Sequence, residues 1–200
     1  MIKNIIFDLG NVLLKFDPRK YLETKIPVEK INMLYKIIFQ SKEWALLDRG
    51  TITEEKAIAN IISRNVELKE YITIIFENWY DILEPIEKNV KILELLKKHG
   101  YKIYYLSNFH DLAFKYVTKK YDFFHNFDGG VVSYEEKMLK PEDEIYKQII
   151  KKYELEPSEC IFIDDTKENI DGAIKNGLHG IHLKDFETLE EELRKYNVEL

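Results

Sequence analysis

The amino-acid sequence predicts a doubly wound α/β domain with a parallel sheet and a helical insertion after the first strand. Five short apolar runs, most of them followed by helical periodicity, are typical of buried parallel strands and span residues 4–7, 102–106, 130–132, 160–163 and 180–183. Of the 200 residues, 45% are hydrophobic and 33% are charged, which suits a globular domain. Such sheets bind ligands at the carboxyl ends of their strands, so the residues that follow each run matter most.

Amphipathic segments lie between these runs. Their apolar periodicity predicts helices over residues 87–99, 112–120, 142–153 and 167–176. Gly100 and Gly177 follow the first and the last of them, as is common at helix ends. The repeated order of strand, helix and strand therefore predicts a Rossmann-like sheet covered by helices on both faces.

Residues 16–85 interrupt this alternation, because only helical signals occur there. Asp17 and Pro18 suit the N-cap and first position of a helix, and Thr51 and Glu54 have the spacing of a capping box. The segment is rich in aromatic residues, most of which we expect to form a core of its own, while a few could line a substrate pocket. We predict a core of residues 1–15 and 86–200 and a helical cap of residues 16–85.

Composition argues against several classes of partner. The 30 Lys and Arg against 36 Asp and Glu give a net charge of −6, and no basic block is long enough to follow a nucleic acid. The N-terminal apolar run is interrupted by Asp8 and Asn11, lacks a signal cleavage site, and no run reaches the roughly 18 apolar residues of a membrane span. Cys160 is alone, so no intrachain disulfide is expected. We expect a cytoplasmic protein with no nucleic-acid or membrane partner, and both a monomer and a dimer stay open.

Polar residues follow the apolar runs and are expected to meet at one edge of the sheet: Asp8, Ser107, Asn108, Lys140, Asp164 and Asp165. Carboxylates that converge repel one another unless a cation lies between them. Mg²⁺ prefers such oxygen ligands. One carboxylate could then attack a phosphate whose oxygens are held by the metal, Lys140 and Ser107, with water hydrolysing the resulting aspartyl phosphate.

The residues resemble the four motifs of the haloacid dehalogenase superfamily, whose members are mostly phosphatases with a Rossmann-like core. The first motif, a strand followed by DxDx[TV], is matched by Asp8-Leu9-Gly10-Asn11-Val12. The resemblance implies that Asp8 is the nucleophile and a magnesium ligand, and that Gly10 supplies a backbone carbonyl to the metal.

The other three motifs are matched by Leu106-Ser107-Asn108, Lys140-Pro141 and Ile163-Asp164-Asp165. The resemblance implies that Ser107 and Asn108 bind the phosphoryl group and that Lys140 offsets negative charge. It implies that Asp165 is a direct metal ligand, with Asp164 supporting through water or Lys140. Asn169 occupies a position that often orients the lysine, and the helical insertion corresponds to a cap that closes over small substrates.

A narrower similarity links the chain to the bacterial branch that includes the α-D-glucose 1-phosphate phosphatase. It is carried by DLGNV, by Asp48-Arg49-Gly50 in the insertion, by LSN and by KPEDEIY. This similarity implies a sugar phosphate as substrate. Arg49 could reach a substrate oxygen from the cap, or else form a solvated or intracap ion pair.

Gly10 departs from the first motif, because most phosphatases of the family have there a second aspartate that protonates the leaving alcohol and activates water. Losing proton transfer typically costs roughly 100-fold to 10,000-fold in rate. The same substitution occurs in the sugar-phosphatase branch. Our hypothesis is that the enzyme favours leaving groups of low pKa, such as an anomeric oxygen, or takes a proton from water or from the cap.

Two other functions are open. A haloacid dehalogenase proper attacks carbon without a metal, which Gly10 would allow but the pair Asp164 and Asp165 would not require. A non-enzymatic phosphoacceptor combines similar residues around magnesium, although receiver domains have their acidic pair on the first strand. His110 is expected in a surface loop, with substrate contact as the alternative.

Overall fold

The centre of the protein is a parallel sheet, seen in a computed structural model that describes residues 1–77 and 79–200. Its strands are β1 (Asn4–Phe7), β2 (Lys102–Ser107), β3 (Gly129–Val132), β4 (Cys160–Asp164) and β5 (His179–His182), in the order β3-β2-β1-β4-β5. Each predicted strand is confirmed to within one residue at either end. The sheet thus has the predicted α/β architecture.

Strand β1 lies at the middle of the sheet and pairs in parallel with β2 on one side and β4 on the other. All four of its residues are buried. Because the three strands end at the same edge, Asp8, Ser107 and Asp164 emerge side by side. The topology alone therefore brings three of the predicted site residues together.

Helices cover both faces of the sheet. In the core they are α6 (Glu87–Lys98), α7 (Asp111–Lys120), α8 (Ser133–Glu136), α9 (Asp143–Lys152), α10 (Lys167–Lys175) and α11 (Leu189–Arg194). Ile6 and Phe162 face α9 and α10, whereas the neighbouring Ile5 and Ile161 belong to the apolar core that includes α6 and α11. Successive strand residues point to opposite faces, so burial on both faces requires the continuous apolar runs seen in the sequence.

The segment between β1 and α6 is helical, with α1 (Pro18–Lys25), α2 (Val28–Ile38), α3 (Lys42–Asp48), α4 (Glu54–Ser63) and α5 (Lys69–Phe76). We refer to residues 16–85 as the helical insert. Its two ends run side by side, since the Lys15 N–H donates to the Glu84 carbonyl and the Ile86 N–H donates to the Leu13 carbonyl, both at 2.8 Å. Among the described residues, no helix combines the length and apolarity needed to cross a bilayer.

The sequence predicts two helix starts in the insert, and the structure confirms one of them. Asp17 is the N-cap of α1, accepting a hydrogen bond from the Lys20 backbone, and Pro18 is its first residue, as predicted. The capping box at Thr51 is wrong, because Thr53 caps α4 by accepting from the Lys56 N–H.

Thr51 instead helps to end α3. The Gly50 N–H donates to the Leu47 carbonyl and the Thr51 N–H donates to the Leu46 carbonyl, the pattern of a Schellman motif. Gly50 has a φ of +67°, which a glycine adopts without strain. Gly50 therefore places Thr51 at the end of α3, and Thr53 caps α4.

Aromatic side chains of the insert form a continuous cluster. The Trp44 ring centroid lies 4.6 Å from that of Phe39 and 5.0 Å from that of Trp79. Tyr21 and Phe76 are buried with them. The expected core of the insert is present, but it is continuous with one face of the sheet rather than separate.

Replacing Gly50 with Ala is expected to destabilise the protein more than replacing Gly100 with Ala. The φ angles are +67° and +90°, so both variants carry left-handed strain of about 1–2 kcal/mol. A Cβ at Gly50 would also lie 2.3 Å from the Tyr134 carbonyl oxygen, whereas one at Gly100 would meet nothing within 4 Å. Urea unfolding measures both losses. Equal losses would contradict the close contact between the insert and α8.

Candidate active site

A cavity of about 250 Å³ opens at the carboxyl edge of the sheet, between the sheet and the helical insert. Its lining from the core consists of Asp8, Gly10, Asn11, Ser107, Asn108, Phe109, His110, Lys140, Asp165, Thr166 and Asn169. The insert contributes Phe16, Trp44, Asp48, Trp79 and Leu83. Of the site residues predicted from the sequence, Asp164 and Arg49 are not part of this lining.

Three carboxylates lie together on the core side of the site. Asp8, Asp164 and Asp165 each have an oxygen within 4.8 Å of the others. Asp8 and Asp164 are buried, and Asp165 is half-buried and accepts a hydrogen bond of 2.9 Å from the Asn11 amide. An all-oxygen set with this excess of negative charge fits a hard divalent cation such as Mg²⁺.

Lys140 lies between two of the three carboxylates. Its ammonium nitrogen is 2.9 Å from Asp8 Oδ1 and 2.5 Å from Asp164 Oδ2, and its side chain is almost fully buried. Burial opposes the charged form, but Asp164 and Asp8 outweigh it and raise the pKa of Lys140. This lysine therefore stays charged within the site.

Asp8 is also held by Ser107, whose hydroxyl donates to Asp8 Oδ1 at 2.6 Å. Burial raises the pKa of Asp8 to about 7, the charge of Lys140 lowers it, and that of Asp164 raises it further. The carboxylate form of Asp8 thus depends on positive charge close by. A divalent cation among the three carboxylates would supply more of it.

Two amide side chains in the cavity lining also position these groups. Asn108 donates to the Lys140 carbonyl at 3.1 Å and accepts from the Lys140 N–H at 2.9 Å, which fixes the lysine's backbone. Asn169 donates to both oxygens of Asp164, each at 3.0 Å. Asn169 therefore acts on Lys140 through Asp164.

Gly10 lies in the cavity lining where a second aspartate would stand. A Cβ built on Gly10 meets nothing within 4 Å. There is therefore room for a Cβ at this position, while the carboxyl group of the family motif is missing.

Arg49 does not line the cavity. Its guanidinium is paired with Glu142 and donates to the Lys137 carbonyl at 3.1 Å. The ion pair joins the insert to the core, and its two side chains are 31% and 38% exposed, so it is partly solvated and not confined to the insert. In this structure Arg49 fixes the end of α3 against the loop before α9.

His110 is buried, so the expected surface position is wrong. It is 3% exposed, and its ring centroid lies 4.3 Å from that of Trp44 and 5.1 Å from that of Trp79. Burial lowers its pKa to about 3, so the ring is neutral at pH 7. The sequence around His110 gave no sign that tryptophans of the insert would cover it.

Asp48 is a cavity residue to which sequence reasoning gave no role. It is the last residue of α3, its side chain is 21% exposed, and one carboxyl oxygen lies 3.3 Å from His110 Nε2. Burial raises the pKa of Asp48 to about 8, helped by the charge of Asp8 and opposed by Lys140. The sequence feature that could have indicated a role for Asp48 is Asp48-Arg49-Gly50 at a helix end.

Comparison with known proteins shows the family of this chain. The model of the haloacid dehalogenase-like hydrolase family matches residues 2–177, and the chain belongs to that family of hydrolases. A sesquiterpene phosphatase of Aspergillus oryzae is 28% identical over 193 residues, which cover 96% of this chain and 95% of the relative. The D-ribitol-5-phosphate phosphatase of Bacteroides thetaiotaomicron is 24% identical over 182 residues, with 85% and 86% covered.

A solved structure shows the same architecture with ligands. The wild-type haloacid dehalogenase family enzyme of B. thetaiotaomicron in complex with magnesium and inorganic phosphate is 27% identical. It superposes with a TM-score of 0.68 over 90% of this chain and 93% of its own. Relatives of this chain thus include phosphatases and a protein that binds magnesium and phosphate.

Adding MgCl2 is expected to raise the free energy of unfolding, by about 2.7 kcal/mol when the ion is at 100 times its dissociation constant. Asp165→Asn should remove most of this gain, because it removes one carboxylate from the set of three. Asp171→Asn should keep it, since Asp171 forms an exposed ion pair with Lys167 on α10. Urea unfolding with and without MgCl2 measures the gains. Equal gains in both variants would show that the ion binds elsewhere.

Proposed function

We propose that this protein is a magnesium-dependent phosphatase that hydrolyses a small phosphorylated metabolite through an aspartyl-phosphate intermediate on Asp8. The observation that carries the proposal is the position of Asp8 on the cavity floor. There it is hydrogen bonded to Ser107 and Lys140 and lies beside two further carboxylates. This combination provides a nucleophile, donors for phosphoryl oxygens and a magnesium site in one place.

Each residue has a task in this reaction. Asp8 attacks the phosphorus, and Lys140 donates a hydrogen bond to a phosphoryl oxygen. Ser107 has one hydroxyl proton, which it donates to Asp8 Oδ1 in this structure, and it would turn that proton to the phosphoryl group when the substrate binds. Asp8, Asp164, Asp165 and the Gly10 carbonyl would hold the magnesium ion. When bound, the ion neutralises negative charge on the phosphate. Asn108 and Asn169 keep Lys140 and Asp164 in place.

A sugar phosphate is the substrate class that we favour. The cavity, at about 250 Å³, lies below the usual range for drug-sized ligands and suits a small metabolite. Asn11, Asp48 and Thr166 add polar groups to its lining. A relative named for the phosphate of a sugar alcohol supports this choice. The closer similarity to the α-D-glucose 1-phosphate phosphatase branch stays a prediction.

A phosphate ester with an apolar leaving group is a second candidate. Five apolar side chains line the cavity: Phe16, Trp44, Trp79, Leu83 and Phe109. A relative over nearly the whole chain is named as a sesquiterpene phosphatase. A long apolar chain would require the insert to move away from the sheet.

Two further sequence predictions are retained as part of the proposal. The division into a core of residues 1–15 and 86–200 and a cap of residues 16–85 agrees with the paired chain ends at Lys15 and Ile86. A cytoplasmic location stays a prediction. Attack at carbon by a metal-free dehalogenase gives no role to the third carboxylate. A non-enzymatic phosphoacceptor gives no role to the cavity.

Purified protein is expected to release phosphate from at least one member of a panel of sugar phosphates, a prenyl phosphate, a nucleotide and p-nitrophenyl phosphate. EDTA should abolish release, and MgCl2 should restore it. Asp8→Asn should lower the rate to background because the amide is not a nucleophile, while Asp171→Asn should retain the wild-type rate. Phosphate release by Asp8→Asn at the wild-type rate would overturn the proposal. Halide release from 2-haloacids in EDTA would support the dehalogenase instead.

A further inference from the structure

One carboxyl group in the cavity has no task in the reaction so far. Among the described residues that line the cavity, the side-chain carboxyls belong to Asp8, Asp48 and Asp165. Asp8 is the proposed nucleophile and Asp165 a proposed metal ligand. Asp48 comes from the helical insert and lines the same cavity as these two groups.

The surroundings of Asp48 favour its protonated form. Burial disfavours its charged form, and the nearby charge of Asp8 does the same, so its pKa rises to about 8. Lys140 acts in the opposite direction without reversing the shift. His110, its immediate neighbour, is neutral at pH 7 because burial lowers its pKa. Among the described residues, no lysine or arginine forms an ion pair with Asp48 that would hold it as a carboxylate.

His110 is arranged to orient that carboxyl. Both of its ring nitrogens are buried, and within residues 1–77 and 79–200 neither has an aligned hydrogen-bond partner. Nε2 nevertheless lies 3.3 Å from Asp48 Oδ1. A proton on Asp48 could be shared with this nitrogen after a small rotation of the carboxyl. The ring is fixed between Trp44 and Trp79, so it offers a rigid acceptor.

The backbone of Asp48 is fixed to the core as well. Its carbonyl accepts a hydrogen bond from the Ser133 hydroxyl, which in turn accepts from the Phe109 N–H at 2.9 Å. The next residue, Arg49, is paired with Glu142. Asp48 thus reaches the cavity only when the insert is docked on the sheet.

We propose that Asp48 is the general acid and base of the phosphatase reaction and supplies from the helical insert the proton that Gly10 cannot provide. This inference rests on the proposed function. It assigns the missing proton transfer to a particular residue and explains how a chain with glycine at position 10 can act on leaving groups that need protonation.

The proposed steps conserve atoms and charge. Asp8 forms a bond to phosphorus as the bond between phosphorus and the leaving oxygen breaks, and the Asp48 proton moves to that oxygen to give the free alcohol. Asp48 is then a carboxylate and takes a proton from the attacking water. The water oxygen bonds to phosphorus and the bond to Asp8 breaks. Inorganic phosphate leaves, and both aspartates return to their starting states.

The test compares two leaving groups, because a general acid matters for an alkoxide far more than for p-nitrophenolate. Asp48→Asn should lower kcat/KM for the best alkyl phosphate of the panel by about 100-fold to 10,000-fold, and for p-nitrophenyl phosphate by less than about 10-fold. With p-nitrophenyl phosphate, rapid mixing should show a burst of p-nitrophenol, because hydrolysis of the aspartyl phosphate has lost its base.

A second variant tests the same idea by complementation. A Cβ at position 10 would meet nothing within 4 Å, so Gly10→Asp is expected to fit, and in the Asp48→Asn background it should restore at least about 10-fold of the lost alkyl phosphatase activity. Asp81→Asn serves as the control, since Asp81 is an exposed acid of the insert bonded to Tyr116 outside the cavity.

Equal losses for the two esters in Asp48→Asn, without a burst and without restoration by Gly10→Asp, would show that Asp48 only holds the insert in place and would overturn the inference. Unchanged rates in Asp48→Asn would overturn it too. Neither result affects the proposed function, whose failure would appear as full activity of Asp8→Asn on p-nitrophenyl phosphate.

Discussion

The ammonium group of Lys140, buried between Asp8 and Asp164, is the contact on which the site depends. Parallel strands that end at one edge necessarily bring their terminal residues together, and here those residues include carboxylates. Their mutual repulsion and desolvation would otherwise oppose the charged forms. Lys140 offsets part of this cost and leaves an excess of negative charge that a divalent cation fits. Asn108 and Asn169 hold the two ends of this contact, so the sheet and its loops support a single electrostatic arrangement.

The helical insert completes the cavity from the opposite side. The sheet edge provides the groups that act on phosphate, whereas the insert provides aromatic walls and the carboxyl of Asp48. In the proposed reaction the sheet edge binds the phosphoryl group, and the insert supplies both the proton for the leaving oxygen and contacts to the leaving group. Because Asp48 is fixed through Ser133 and through the Arg49–Glu142 pair, contacts that hold the insert on the core also hold Asp48 at the cavity. An open insert would leave Asp8 exposed to water without the proposed acid.

The sequence predicts those parts of the fold, such as strands and helix caps, that depend on residues close together in the chain. The strands were recognised because buried parallel strands require apolar residues on both faces, and Asp17 was recognised because a cap acts within its own first turn. The capping box at Thr51 is not formed, because the positive φ of the preceding residue, Gly50, makes Thr51 part of the end of α3. The burial of His110 and the position of Asp48 in the cavity depend on how the insert packs against the core. No short sequence pattern encodes this packing. Arg49 likewise found its partner, Glu142, through packing over a long sequence separation.

The central claim is that Asp8 receives the phosphoryl group. Rapid acid quenching of the enzyme during turnover, followed by borohydride reduction and peptide mass spectrometry, measures this directly. The account predicts that residue 8 carries the mass of one phosphoryl group before reduction and is homoserine after it, with neither change in Asp8→Asn. Turnover without any modification at residue 8, or with the phosphoryl group on another residue, would contradict the account.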